Sequence, residues 1–312
     1  MSFTTRVKNE ISNNYSNSSA NIAELSAIIR NSYLKDENQL EIVTENSTVC
    51  KHIYNLFKEI YNLNIKISQK ATSFTKNHLY IVELGEEIID KILKDLGVLD
   101  LNNLYIKEVP SYLITCEDEK RAYLKGTFLM TGSINDPKTS MYHLEFSIDY
   151  LEEATYLSNL LNEFYLNSKI IERDKGYMVY IKEAEKIGDF LRIISANLAV
   201  MYYEDIRIYR DHKNMTNRLN NCEQANFEKS LLTSNKQVED IELILEKIGI
   251  DALDPKLAEV INYRLKYKDV SLQELSDIMT LETNKQITKS GLNHRFRKIK
   301  EIATRIRENK ED

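Results

Sequence analysis

Tyr123-Leu-Lys-Gly-Thr-Phe-Leu-Met-Thr-Gly-Ser-Ile134 reads as a helix with an apolar ridge of Leu124, Thr127 and Phe128 that stops at Gly132 and runs into a strand. Gly126 falls inside that helix, where glycine costs roughly 1 kcal/mol relative to alanine. A glycine kept there lets a second backbone come close. Leu25-Ser-Ala-Ile-Ile-Arg-Asn-Ser-Tyr33 has the same shape, with Ala27 in the place of Gly126. Two matched helices, each small at the contact point, predict a pseudo-two-fold pair at the middle of one domain.

The order of elements around the two stretches repeats. After Leu25, the pattern gives a strand at 40–44, a helix at 48–62, strands at 65–68 and 79–83, and a helix at 86–96. After Leu124 it gives a strand from Leu144, a helix at 150–165, a strand at 177–181 and a helix at 184–194. The offset is about 100 residues, and a repeat of that length fixes architecture before any local detail. The prediction is two αββαββα units, about 1–102 and 120–200, in an α+β domain ending near 205. Phe3, Val7 and Ile11, spaced four apart, add a short amphipathic helix in front.

With eight glycines and three prolines in 312 residues, connections should be short and helix abundant. The net charge of −6 conceals an asymmetry. Residues 285–310 hold nine basic side chains against two acidic, a surplus of seven, which leaves −13 for the rest of the chain. A basic end on an acidic chain points to a nucleic-acid partner. Cys50, Cys116 and Cys222 lie far apart, which predicts neither a disulfide frame nor a zinc site and fits a reducing compartment. The N-terminus lacks the apolar run of a signal peptide, and no window approaches a membrane span, so a cytoplasmic protein is expected.

The C-terminal end is set out by its caps. Asp254-Pro255 opens one helix with Leu257, Val260, Ile261 and Leu265 inward. Ser271-Leu-Gln-Glu274 is a capping box for a second helix with Leu272, Leu275 and Ile278 inward. After a connection over Thr280–Gln286, a third helix from Thr288 carries Leu292, Phe296, Ile299, Ile302 and Ile306 along one side. This is an all-α helix-turn-helix domain over 251–312, with the motif at about 271–304. A helix at 224–247 is expected to lie in a connecting segment, 206–250. Its apolar stripe suits docking, and Arg207, Arg210 and Arg218 are candidates for a share in DNA contact.

Ala122-Tyr-Leu-Lys-Gly-Thr-Phe-Leu-Met-Thr-Gly-Ser-Ile-Asn-Asp-Pro137, Asn217-Arg-Leu-Asn-Asn-Cys-Glu-Gln-Ala-Asn226 and Ile287-Thr-Lys-Ser-Gly-Leu-Asn-His-Arg-Phe-Arg-Lys298 together resemble the WhiA family. The duplicated helix-glycine-strand unit is itself similar to the LAGLIDADG homing-endonuclease fold. The resemblance covers nearly the whole chain. It implies a degenerate LAGLIDADG-like domain followed by a helix-turn-helix, in a nucleoid-associated regulator of transcription with roles in sporulation, cell division and chromosome segregation. The fold it implies presents a saddle of two sheets, which would serve as a second DNA contact or as a surface for a protein partner.

In the LAGLIDADG nucleases each paired helix ends in an acidic residue that holds a divalent metal, because a hard cation needs carboxylate oxygens to stabilise a leaving phosphate oxygen. On this chain those positions fall at Ser32 and Thr131, neither of which supplies a charge. Asp136, Glu145 and Asp149 lie nearby and are the carboxylates that could substitute. No catalysis, metal or cofactor is expected. The five histidines show no HxH or HExxH spacing, and the glycines form neither GxGxxG nor a P-loop.

DNA contact is assigned to Lys289, Ser290, Asn293, His294, Arg295, Arg297, Lys298 and Lys300. Serine hydroxyls and helix N-termini hold phosphate, asparagine reads adenine and arginine reads guanine in the major groove. Two other readings stay open: a protein-interaction scaffold of the division machinery, and a residual nuclease or maturase.

Overall fold

The structure is a computed structural model describing residues 1–308 apart from 15–16, 37–38, 72–77, 85 and 140. It forms two compact units, Met1–Arg210 and Asp211–Asp312.

The first unit opens with α1 (Phe3–Ile11), which buries Phe3, Val7 and Ile11 as their spacing predicts. The first repeat is α2 (Ser18–Arg30), β1 (Tyr33–Asp36), β2 (Gln39–Thr44), α3 (Ser47–Tyr61), β3 (Lys66–Ala71), β4 (His78–Leu84) and α4 (Glu86–Asp95). The second is α5 (Glu117–Thr131), β5 (Gly132–Ile134), β6 (Leu144–Ile148), α6 (Leu151–Glu163), β7 (Lys169–Glu172), β8 (Tyr177–Ile181) and α7 (Ala184–Ile193). Each repeat makes an antiparallel four-stranded sheet, ordered β1-β2-β4-β3 in one and β5-β6-β8-β7 in the other. The duplicated αββαββα architecture read from the sequence is therefore the observed one.

Helices α2 and α5 pair at the centre. A Cβ placed on Gly126 would collide with the carbonyl oxygen of Glu24 and lie 3.0 Å from Ala27 Cβ. Ala20, Ala23 and Ala122 make a second small-residue contact. Helix α5 starts six residues before the stretch that first signals it. Its first turn is Glu117, Asp118 and Glu119, which carries no apolar period to read. Glu119 instead accepts hydrogen bonds from Thr115 N (2.8 Å), Thr115 Oγ1 (2.8 Å) and Cys116 N (3.1 Å).

Beside the close contact sits a buried charge cluster that sequence reading did not find. Glu24 pairs with His52 Nε2 at 2.7 Å and with Lys125 Nζ at 3.0 Å, and Lys125 also donates to Asn14 O at 2.8 Å. Its partners come from α2, α3 and α5.

The second unit is built from α8 (Asn197–Lys247), α9 (Pro255–Lys266), α10 (Leu272–Thr283) and α11 (Lys289–Glu308); residues 197–210 of α8 belong to the first unit. The segment 206–250, expected from the sequence to be a helical linker, is helical as far as Lys247 and continues the same helix that begins at Asn197. Its Ile241 and Ile244 are fully buried with Leu257, Val260, Leu275 and Phe296 in one core. Asp254 caps α9 through Lys256 N, and Ser271 and Glu274 form the capping box of α10, as read from the sequence.

Two local differences have plain causes. Helix α10 runs on to Thr283 and ends at Asn284 in the left-handed region (φ 54°), so the connection is 284–288. Thr280 and Thr283 do not break the helix, because their hydroxyls donate to Ser276 O (2.8 Å) and Met279 O (2.6 Å). In α9 the fourth inward residue is Arg264, 1% exposed, while Leu265 is only partly buried. The Arg264 guanidinium donates to Val270 O (2.7 Å), Ser234 Oγ (3.2 Å) and Tyr267 O (3.3 Å) and lies 5.3 Å from the Phe296 ring centroid.

Candidate nucleic-acid interface

Helix α11 begins where Thr288 Oγ1 accepts a hydrogen bond from Gly291 N (3.1 Å). Ser276 Oγ donates to Ile287 O (2.6 Å) and Thr280 Oγ1 accepts from Ile287 N (3.1 Å), which ties the residue ahead of α11 to α10. Leu292, Phe296, Ile299 and Ala303 are buried, so one side of α11 is committed to the core. At 100° per residue the remaining positions fall on an exposed arc. Lys289, Ser290, Asn293, His294, Arg297, Lys298 and Lys300 are all exposed. The structure therefore gathers seven of the eight assigned residues on the solvent side of one helix.

Arg295 is placed apart from them. It is half-buried on the flank facing α9, with Glu259 Oε2 3.8 Å from its guanidinium. On the opposite flank, Asn293, Arg297 and Lys300 line a groove of about 570 Å³ together with Thr233, Lys236 and Gln237 of α8.

The LAGLIDADG positions look different. Ser32 Oγ donates to Ile28 O (2.5 Å) and Thr131 Oγ1 to Thr127 O (3.0 Å), so both hydroxyls are turned back onto their own helices. Asp136 accepts from Lys138 N (2.9 Å) and Tyr202 Oη (3.2 Å) within a turn, and Glu145 is paired with His143 and Arg173, each at 3.1 Å. Asp149 is exposed. Among the described residues no three His, Cys, Asp or Glu side chains converge as metal ligands.

Of the three arginines considered on α8, Arg207 pairs with Glu204 (2.7 Å) and Glu185 (3.5 Å). Arg210 donates to Pro137 O (2.7 Å) and lies 4.5 Å from the Tyr142 ring centroid. Arg218 is exposed. Among the described residues no helix is long and apolar enough to cross a membrane.

The WhiA N-terminal LAGLIDADG-like domain family matches residues 18–99, the WhiA LAGLIDADG-like domain family residues 120–213, and the WhiA C-terminal HTH domain family residues 216–303. The last match begins within α8. "Probable cell division protein WhiA" of Bacillus subtilis (strain 168) is 42% identical, and that of Bacillus licheniformis 43%, each covering 98% of both chains. The crystal structure of full-length DUF199/WhiA from Thermatoga maritima, 23% identical, covers 98% of this chain and 99% of its own with a TM-score of 0.58. That of the N-terminal LAGLIDADG domain of DUF199/WhiA, 20% identical, covers 62% of this chain and 90% of its own with a TM-score of 0.51. These two structures share the fold.

Proposed function

The chain belongs to the WhiA family, and from that premise we propose that it is a sequence-preferring double-stranded-DNA-binding protein of cell division, acting as a transcriptional regulator without nuclease activity. The observation that carries this reading is α11: one side is fixed in the core while the other exposes Lys289, Arg297, Lys298 and Lys300 together with Asn293. A helix of that kind fits the major groove, which is about 12 Å wide. Arg297 and Asn293 are the base readers of this proposal, and Lys289, Lys298 and Lys300 the phosphate contacts. A cytoplasmic, nucleoid-associated protein with roles in sporulation and chromosome segregation follows from the same reading.

The absence of nuclease activity rests on Ser32 and Thr131, whose hydroxyls are spent on backbone carbonyls where carboxylates would be needed. With magnesium or manganese, the purified protein should leave supercoiled plasmid intact; cutting that copurifies with it through several columns would end this part of the proposal. A protein partner on the LAGLIDADG-like domain is the second reading. It is favoured by the net charge of −6 on residues 1–210, since an acidic surface repels phosphate.

Arg297→Ala and Lys298→Ala test the DNA reading. A good bidentate pair is worth about 1–3 kcal/mol of discrimination, so Arg297→Ala should flatten preference between operator and random duplex. Lys298→Ala should weaken all sequences alike and reduce the slope of log affinity against log salt by about one unit. Both side chains are exposed, so helix content should not change. If Arg297→Ala binds its operator with full affinity and preference, α11 is not the reader.

A further inference from the structure

Helix α8 brings cations of its own to the flank of α11. The last turns of α8 are fixed there by three separate contacts. Ile241 and Ile244 lie in the core shared with α9, α10 and α11. Ser234, 2% exposed, accepts from the buried Arg264 and donates to Lys268 O. Asp240 pairs with Arg307 of α11 at 2.6 Å. The groove between the two helices is thus a built feature of the second unit, held on both walls.

Its lining is cationic on balance. Lys236 stands on one wall and Arg297 and Lys300 on the other, while Asp240 is neutralised by Arg307 and Glu239 is the remaining acid. Gln237 Oε1 is shut off from solvent with no hydrogen-bond partner among the described residues. Gln237 also lines the groove, and its amide carries N–H donors for a phosphate oxygen. Thr233 lines the groove one turn before, with its hydroxyl donating back to Lys229 O at 2.8 Å. Lys229 is exposed seven residues ahead of Lys236, which places it on the same face about 10 Å along the helix.

A helix seated in a major groove has a sugar-phosphate strand along each flank. On the α9 flank, Arg295 is engaged with Glu259. The α8 flank is the open, cationic one. We propose that α8 is a second arm of the DNA interface: the strand bordering the occupied major groove lies in the α8–α11 groove, held by Lys236 with Gln237, and Lys229 meets it further along. The proposal rests on the DNA reading of α11 and extends it to residues outside the helix-turn-helix motif.

The test compares Lys236→Gln with Lys256→Gln in the full-length protein. Lys256 is an exposed cation in the first turn of α9 and does not line the groove. Binding to an operator duplex and to a random duplex of equal length is measured across a salt series. Lys236→Gln should weaken both duplexes by the same factor and reduce the salt slope by about one unit, whereas Lys256→Gln should match the parent. Lys236→Arg should restore the slope. If Lys236→Gln keeps the parental slope while Arg297→Ala still flattens sequence preference, the groove is not a backbone seat, although α11 remains the reader. If Arg297→Ala also leaves preference unchanged, the DNA reading of α11 falls and this proposal with it.

Discussion

Lys8 carries its ammonium toward an apolar surface, with Nζ 5.7 Å from the Phe128 ring centroid. Burial lowers its pKa from the ordinary 10.5 to about 8. A lysine whose folded pKa is depressed costs stability while it is charged in both states, below about pH 8. Between pH 8 and 10.5 the folded chain releases a proton that the unfolded chain keeps, so stability rises with pH across that window. Lys8→Met should therefore stabilise the protein at pH 7, by the order of 1 kcal/mol, since part of the side chain still reaches water. The gain should shrink as the pH approaches 10.5. Denaturant midpoints of parent and variant at pH 7 and pH 10 check this, and a gain that grows with pH would contradict it. Single residues are also where sequence reading falls short. Arg264 stands at a position the helical period assigns to the core, yet its side chain argued for solvent. Its burial depends on carbonyls at 267 and 270 and a hydroxyl at 234, none visible in the period of α9. The Glu24, His52 and Lys125 cluster joins residues 28 and 101 positions apart, beyond the reach of any local pattern.

At the scale of elements, the close approach of α2 and α5 makes a prediction whose sign is informative. On an exposed helix Gly→Ala gains roughly 1 kcal/mol. At Gly126 the added Cβ meets the carbonyl oxygen of Glu24, a backbone atom that cannot turn aside. Gly126→Ala should thus destabilise, by about 1–3 kcal/mol, the range typical of overpacking. A Gly126→Ala protein that melts at or above the parental temperature would show that the helices have room to spare. This contact was legible in the sequence because both repeats present a small residue at the same place. Helix starts were legible where a cap announced them, as at Asp254 and Ser271. They were hidden where the first turn was purely acidic, as at α5. Most of the candidate site was legible too, since α11 carries its own apolar period. The groove beside it was not, because it depends on α8 docking from another part of the chain.

At the scale of the molecule, the boundary of the DNA-binding unit separates two ways of cutting the chain. A fragment starting at residue 251 keeps α9, α10 and α11, which suffice for a helix-turn-helix by sequence pattern. It loses Ile241 and Ile244 from the core and removes Ser234 from Arg264 and Asp240 from Arg307. Truncating a buried isoleucine costs about 2–5 kcal/mol, and losing two approaches the 5–15 kcal/mol that holds a whole domain together. A piece of about 60 residues has little core in reserve to absorb that loss. A fragment starting at residue 211 keeps every one of these contacts. The 211–312 fragment should therefore unfold in a single cooperative transition and bind operator duplex, whereas 251–312 should show reduced helix content and no cooperative transition. Far-UV circular dichroism with a urea titration of both fragments decides the matter. If 251–312 unfolds cooperatively at the same midpoint as 211–312, α8 is a connector and not part of the unit, and the groove it forms with α11 is not fixed by the fold.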